Sequence, residues 1–146
     1  MKRAPIIVVI AIVITAVVTH AAMMLTYSET RITAQGTIKT VGVEAYWDAG
    51  CTDAVTEIDW GTLEPESQTE TTLYVKNQGN TLVTLSLGVE AWSPSEAQTY
   101  MNLNWDYDGR PVNPDTVIPV RITLTVSADI IGITAFSFQV VIAAQG

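Results

Sequence analysis

The stretch that decides the fold is residues 81–91, Thr-Leu-Val-Thr-Leu-Ser-Leu-Gly-Val-Glu-Ala, in which apolar and polar residues alternate from Val83 to Glu90. A period of two is typical of a β-strand that has one face on a core and the other in water. The four residues before it, Asn77-Gln78-Gly79-Asn80, include three that tolerate a positive φ. We therefore predict a hairpin that joins this strand to the preceding one, Thr69 to Lys76.

The same alternation recurs on both sides of this stretch. Helical periodicity is almost absent, and there is no room for helices that cross between parallel strands. The fold class we expect is all-β, a seven-stranded antiparallel immunoglobulin-like β-sandwich. In its first strand, Val41, Val43, Ala45 and Trp47 are expected to face the core. The seven predicted strands are Thr37 to Trp47, Val55 to Trp60, Thr69 to Lys76, Thr81 to Ala91, Tyr100 to Tyr107, Val117 to Ser127 and Thr134 to Ala144.

The run Tyr74-Val75-Lys76-Asn77-Gln78-Gly79-Asn80 has a resemblance to a known family. It follows the proline turn Leu63-Glu64-Pro65 and precedes the strand 81–89, with Ile58-Asp59-Trp60-Gly61 upstream and the strands 118–127 and 133–142 downstream. This order resembles immunoglobulin-like modules of the cell-adhesion-related type, which occur in archaeal and bacterial surface proteins. The chain as a whole is similar to small single-span archaeal surface proteins of uncharacterised function. The resemblance implies a surface module and supplies no catalytic residue.

An apolar run from Ala4 to Leu25 follows the basic residues Lys2 and Arg3. As a helix, this run would be about 33 Å long, which is enough to cross the core of a bilayer. The positive-inside rule then places the N-terminus in the cytoplasm and everything after Leu25 outside. The stretch Ile6 to Val18 also fits the hydrophobic region of a cleavable signal peptide. We therefore expect one N-terminal transmembrane or signal helix, with cleavage left open.

The chain thus divides into three predicted parts. Residues 1–26 are the membrane anchor or signal peptide, residues 27–36 a short polar stalk, and residues 37–146 the extracellular β-sandwich domain. The expected location is the cell membrane, with a single pass and the C-terminal domain outside, and secretion is the alternative. The membrane, reached through residues 4–25, is the first predicted partner.

The composition excludes several functions. The chain has 15 acidic and 7 basic residues, a net charge of −8, and no basic stripe, so nucleic acid is not an expected partner. One Cys and one His cannot build a disulfide framework or a zinc or haem site within the chain. The one imidazole, His20, lies in the N-terminal apolar run, which excludes Ser-His and Cys-His nucleophiles in the domain. We expect no enzyme and no catalytic residue.

Asp106-Tyr107-Asp108-Gly109 is the candidate metal motif. It resembles the start of an oxygen cage for calcium, whose ligands are carboxylates and carbonyls. No Glu follows at the offset that a full EF-hand needs, and Asp-Gly is also an ordinary turn pair. Plain turn chemistry, which we favour and which needs no cofactor, and calcium held by Asp106 and Asp108 are the two alternatives, and calcium is the one cofactor that the motif suggests.

Three further residues are candidates for interaction: Cys51, Tyr74 and Trp92. Cys51 lies in a predicted loop, where it either pairs with Cys51 of a second copy or stays a partly buried thiol. Tyr74 and Trp92, like Tyr46 and Tyr100, fall outside the main inward-facing sets. They can stack on a sugar or a protein partner, and the alternative is that they cap the ends of the core.

These observations favour one function and leave a second open. The first is a membrane-anchored extracellular β-sandwich that acts as a non-enzymatic interaction or structural module of the cell surface, with an unknown protein or glycan as partner. The alternative is a secreted subunit of an extracellular pilus or matrix filament. In that case the segment leading into Thr37 would complete the sandwich of a neighbouring copy by strand addition.

Overall fold

The computed structural model describes residues 31–146, which form two four-stranded β-sheets packed as a sandwich. The strands are β1 (Ile32–Val41), β2 (Val43–Tyr46), β3 (Glu57–Leu63), β4 (Gln68–Asn77), β5 (Thr84–Ser93), β6 (Met101–Trp105), β7 (Val117–Val126) and β8 (Ala135–Gln145), with a 3-10 helix at Ser95–Thr99. Sheet A has the strand order β3-β1-β8-β5 and sheet B the order β2-β4-β7-β6. The all-β sandwich is confirmed, and the described residues contain eight strands where seven were predicted. The predicted N-terminal helix lies outside the described residues.

The additional strand arises because the predicted strand Thr37 to Trp47 is two strands in different sheets. The chain passes from β1 in sheet A to β2 in sheet B through Gly42, whose φ of +73° is rarely adopted by an L side chain. A Cβ at Gly42 would lie 3.1 Å from the Cβ of Ala144, so this position also lacks room for one. The alternation in the sequence continues through Gly42, but the inward-facing positions change from even-numbered residues in β1 to odd-numbered residues in β2.

Of the four residues predicted to face the core from this strand, two are buried. Val43 and Ala45 are buried as expected. Val41 is 50% exposed because the even-numbered residues of β1 face the core, which places Val41 on the outward face of the strand. Trp47 is 37% exposed because β2 has already ended.

The predicted stalk, residues 27–36, is wrong for its second half. Strand β1 begins at Ile32, and the side chains of Ile32 and Ala34 are completely buried. Two of the three inward-facing residues of this half-strand, Ala34 and Gly36, are small, so they give little apolar alternation with the outward-facing Thr33 and Gln35. Residues 27–30 lie outside the described residues.

Strand β1 occupies an interior position of sheet A. On one edge it pairs in parallel with β8 over nine residue pairs, from Thr33 opposite Ala135 to Val41 opposite Ala143. On the other edge it pairs antiparallel with β3 over six residue pairs. The predicted antiparallel arrangement therefore holds for the other strand pairs of the described residues, and the β1–β8 pair is the exception.

The predicted hairpin at residues 77–80 is a crossing between the sheets. Strand β4, which ends at Asn77, belongs to sheet B, and β5 belongs to sheet A, where it pairs with β8. Asn77 is the one completely buried polar side chain of the described residues. Its Nδ2 donates to the carbonyl oxygens of Thr81 at 2.8 Å and Val112 at 3.0 Å, and its Oδ1 accepts from the backbone N–H of Gly79 at 2.9 Å. These bonds replace the ladder of a hairpin and fix the path of the crossing chain.

The core lies between the sheets and follows the alternation of the longer strands. As predicted, β7 and β8 point every second residue inward; the completely or nearly completely buried ones are Val120, Ile122, Leu124, Val126, Phe136, Phe138, Val140 and Ile142. The ring of Phe138 lies between two indoles, with its centroid 4.6 Å from that of Trp92 and 6.1 Å from that of Trp60. Burial of such side chains is worth about 1.5 to 3 kcal/mol each, so the domain has a substantial core without a disulfide.

Replacing Asn77 by Ala is expected to destabilise the domain strongly. The change removes three hydrogen bonds and leaves the carbonyl oxygen of Val112 without its side-chain donor, which should lower the free energy of unfolding by about 2 to 4 kcal/mol. Asn80→Ala, at an exposed position of the same crossing, is the matched control and should change it little. Urea unfolding of the two variants and the wild type measures the difference, and equal stabilities would refute this role of Asn77.

Candidate functional site

Three ring side chains line up across the outer face of sheet B. Tyr46 of β2 is the register partner of Tyr74 of β4, and Tyr74 is the register partner of Pro119 of β7. Residues opposite each other in a sheet share a face, and the neighbours of Tyr74 along β4, Leu73 and Val75, point into the core. These three residues, here called the Tyr-Pro row, therefore lie on the face of sheet B that points away from sheet A.

Tyr46 is the anchored member of the row. Its hydroxyl donates to Glu44 Oε2 at 2.7 Å and accepts from Gln78 Nε2 at 2.9 Å, and Gln78 also donates to the Glu44 carboxylate at 2.9 Å. The bond to Glu44, followed by burial, raises the pKa of the Tyr46 phenol. Only 9% of Tyr46 is exposed, so the half-buried Tyr74 and the exposed Pro119 are the members that a partner can reach.

A cleft of about 440 Å³ adjoins the row at Pro119. Its walls include Asp106, Asp108, Arg110, Pro111 and Ile118. It therefore offers apolar surface together with a carboxylate and a guanidinium, which is the usual mixture in sites that bind polar ligands.

The loop that forms the cleft is held by the hydroxyl of Tyr107. This hydroxyl donates to the carbonyl oxygen of Arg110 at 2.6 Å and accepts from the backbone N–H of Leu85, in sheet A, at 3.2 Å. These bonds tie the loop to the opposite sheet, so the backbone of the cleft is preformed in the unbound protein.

The two carboxylates of the predicted calcium motif lie in this loop and are engaged by the protein itself. Asp106 Oδ1 accepts from the backbone N–H of Arg121 at 2.7 Å, and Asp108 Oδ1 accepts from that of Arg110 at 3.1 Å. Asp108 also forms an ion pair with the Arg110 guanidinium. Residues 31–146 contain no group of three or more His, Cys, Asp or Glu side chains that could hold a metal ion. The geometry is that of a turn, and calcium binding stays a prediction.

The other predicted interaction residues are not part of this surface. Trp92 is partly buried and packs against Phe136 and Phe138 of the core, with centroid distances of 6.1 and 4.6 Å, in sheet A and not beside Tyr74. Tyr100 is also half-buried against the core.

Cys51 lies in the loop between β2 and β3, where it is partly exposed and its thiol is free. Its φ of +55° belongs to a tight turn that is organised by Asp48. The Asp48 carboxylate accepts from the backbone N–H groups of Thr52 and Asp53, each at 2.9 Å, and these bonds, that of Asp53 most, lower the pKa of Asp48. Pairing of Cys51 between two copies stays a prediction.

A carboxylate on the edge of sheet A also accepts a hydrogen bond from the local backbone. Glu57 and Asp59 lie on the exposed side of β3, two residues apart, in the spacing of a candidate acid/base pair. Asp59 Oδ1 accepts from the backbone N–H of Gly61 at 2.8 Å, at a bulge where the register of β1 and β3 shifts. This hydrogen bond stabilises the bulge.

Sequence reasoning singled out Tyr74 but missed Arg110, Pro111 and Pro119. Their place beside Tyr74 depends on the pairing of β4 with β7, which joins residues more than forty positions apart in the chain. Alternation along one strand shows which residues share a face of that strand but not which strand lies next to it.

Comparison with known proteins gives no family assignment. No protein-family model matches the chain, and no curated protein matches it significantly. Within residues 31–146 the structure has no helix long and apolar enough to cross a membrane, and the predicted span, residues 4–25, lies outside them.

The calcium prediction has a direct thermal test. If Ca²⁺ binds at Asp106 and Asp108, adding millimolar Ca²⁺ after EDTA raises the melting temperature, because the ion binds the folded state alone. Asp108→Asn should abolish most of that rise, whereas Asp129→Asn, at an exposed carboxylate in the loop before β8, should leave it intact. A melting temperature that calcium does not change would leave turn formation as the role of these residues.

Proposed function

We propose that this protein is a non-enzymatic interaction or structural module of the cell surface. Residues 4–25 hold it in the membrane, the N-terminus is cytoplasmic, and the β-sandwich is outside. Its partner is a protein or glycan of the cell surface, which binds across the outer face of sheet B.

The observation that supports this proposal best is the continuity of the Tyr-Pro row with the cleft. Tyr74, Pro119 and the cleft wall at Pro111 form one surface that combines apolar rings with a charged pair, Asp108 and Arg110. Rings with polar groups at their edge are frequent in surfaces that recognise sugars and proteins.

The electrostatics of the domain fit this role. Acidic residues outnumber basic ones by 15 to 7 in the whole chain, and the two guanidinium groups near the row, Arg110 and Arg121, are each close to a carboxylate, that of Asp108 or Glu70. A partner with a neutral or basic surface is therefore favoured over a polyanion.

The proposed location predicts that the domain is accessible from outside the cell. Thr72→Cys, made in a Cys51→Ser background, places one thiol at an exposed position of sheet B. A membrane-impermeant maleimide should label it equally in intact and in lysed cells, and Cys51→Ser alone should stay unlabelled. Labelling that appears only after lysis would overturn the proposed orientation.

Intact-mass measurement of the same samples distinguishes the anchored from the secreted form. A membrane-bound species that begins at or near Met1 supports the anchor. A species in the culture supernatant that begins near Ala22 supports secretion.

The proposed binding face can be tested without knowing the partner. A photoreactive benzoylphenylalanine at position 74 should cross-link to a surface component on intact cells, because Tyr74 lies in the accessible part of the row. The same residue at position 88, which is exposed on the outer face of sheet A and pairs with β8 and not with β1, is the matched control and should give little product. Equal yields at the two positions would contradict a partner on sheet B. Protease or glycosidase treatment of the product then identifies its chemical class.

A further inference from the structure

Strand β1 differs from the other interior strands of the two sheets in the length of its connection to the rest of the sandwich. It is the first described strand, and its only covalent connection to the rest of the sandwich is the single residue Gly42. Its partners β3 and β8 both follow it in the chain. It can therefore leave sheet A without any other strand being threaded past it.

Removing β1 would leave a gap in sheet A between β3 and β8. Without β1, the backbone N–H and C=O groups of β8 would be unpaired along nine register positions and those of β3 along six. Within the described residues, β3 pairs with no other strand, so it would also lose its place in sheet A. Unpaired strand edges and an opened core are both costly, which makes this slot between β3 and β8 a strong acceptor for a strand.

We propose that β1 of one copy enters the slot between β3 and β8 of a second copy, so that copies of this chain assemble by exchange of their N-terminal strand. The partner is a second copy of this chain, and the interaction surface is the interior of sheet A. This proposal goes beyond the proposed function, because it concerns how copies join and requires neither the membrane location nor a partner on sheet B.

The side chains around the slot select β1 itself as the occupant. Position 36 favours glycine, because a Cβ there would lie 3.0 Å from the indole Nε1 of Trp60 and 3.6 Å from the ring of Phe138, so the buried indole would have to shift. Two and four positions earlier, Ala34 and Ile32 are completely buried. A strand that presents Ile, Ala and Gly at alternate positions in this order fits the slot, and β1 has that order.

Gly42 is suited to act as the hinge of the exchange. Its φ of +73° and the absence of a side chain let the chain turn sharply from sheet A into sheet B. The same freedom allows an extended path in which β1 points away from its own domain. Val41, beside the hinge, is already half exposed, so opening the turn there exposes little further apolar surface.

The two equilibrium states differ little in free energy. The exchanged strand would make the same backbone bonds and bury the same side chains as in its own copy, so the contact energies of the two states cancel. What remains is the entropy of association, which opposes exchange, and the length of the connection, which is the single residue Gly42. One-residue connections of this kind favour exchange.

A cross-linking experiment with full-length chains tests the exchange. Thr37 and Gln139 are register partners on the outer face of β1 and β8, and Gln139 Nε2 donates to Thr37 Oγ1 at 3.4 Å. Thr37→Cys and Gln139→Cys are placed in separate, differently tagged chains, each with Cys51→Ser, and the two chains are coexpressed and oxidised. Exchange predicts a disulfide between the two tags.

The matched control pairs Thr37→Cys with Thr72→Cys, an exposed position on sheet B that never faces β1. Because a disulfide requires Cα atoms within about 7 Å, the Thr37–Gln139 heterodimer should exceed the control by roughly tenfold or more. A second register pair, Thr33→Cys with Ala135→Cys, should behave in the same way.

Both cysteines of each pair are also placed in one chain, where a disulfide within that chain shows that the geometry permits the bond. If these double variants form the disulfide within one chain, but the coexpressed single variants give no more heterodimer than the control, the exchange does not occur. If neither the double nor the single variants form disulfides, the β1–β8 register itself is refuted, and the proposal with it. Failure of the surface-labelling test would leave these outcomes unchanged.

Discussion

The hydrogen bonds that β1 forms along both of its edges hold sheet A together. β3 is connected to the sheet only through β1 within the described residues, and β8 depends on β1 for one of its two neighbours. The residues that make this possible are small: a larger side chain at Gly36 would press on Trp60, and one at Gly42 would both strain the backbone and crowd Ala144. The strand at the start of the domain is thus also the one that completes its core.

A second constraint fixes how the two sheets are joined. At the end of β4 the chain leaves sheet B, and the buried side chain of Asn77 bonds to the backbone on both sides of the gap, at Gly79 and Thr81 in the crossing and at Val112 before β7. Buried polar groups that are fully bonded specify one arrangement, because every alternative leaves some of them unpaired. The Tyr-Pro row depends on this arrangement, since β4 and β7 must pair in one register for Tyr74 to lie beside Pro119.

The sequence predictions succeeded where a strand stays in one sheet along its whole length. β7 and β8 alternate over ten and eleven residues, and their buried residues were identified correctly. They failed where the chain changes sheet. The run 37–47 looked like one strand because its alternation continues through Gly42, and Asn77-Gln78-Gly79-Asn80 looked like a hairpin because its residues suit any tight turn. The first half of β1 falls within the predicted stalk because Ala34 and Gly36 give little apolar signal.

The sequence alone determined the all-β class, the sandwich architecture and most of the core, because these depend on residue type and on alternation along single strands. Only the tertiary structure decided that β1 is parallel to β8, that Trp92 packs against the core, and that Tyr74 lies on one surface with Pro119 and the cleft at Arg110. These features depend on which strands are neighbours and in what register. That choice is made by packing between residues distant in the chain, which no local pattern records.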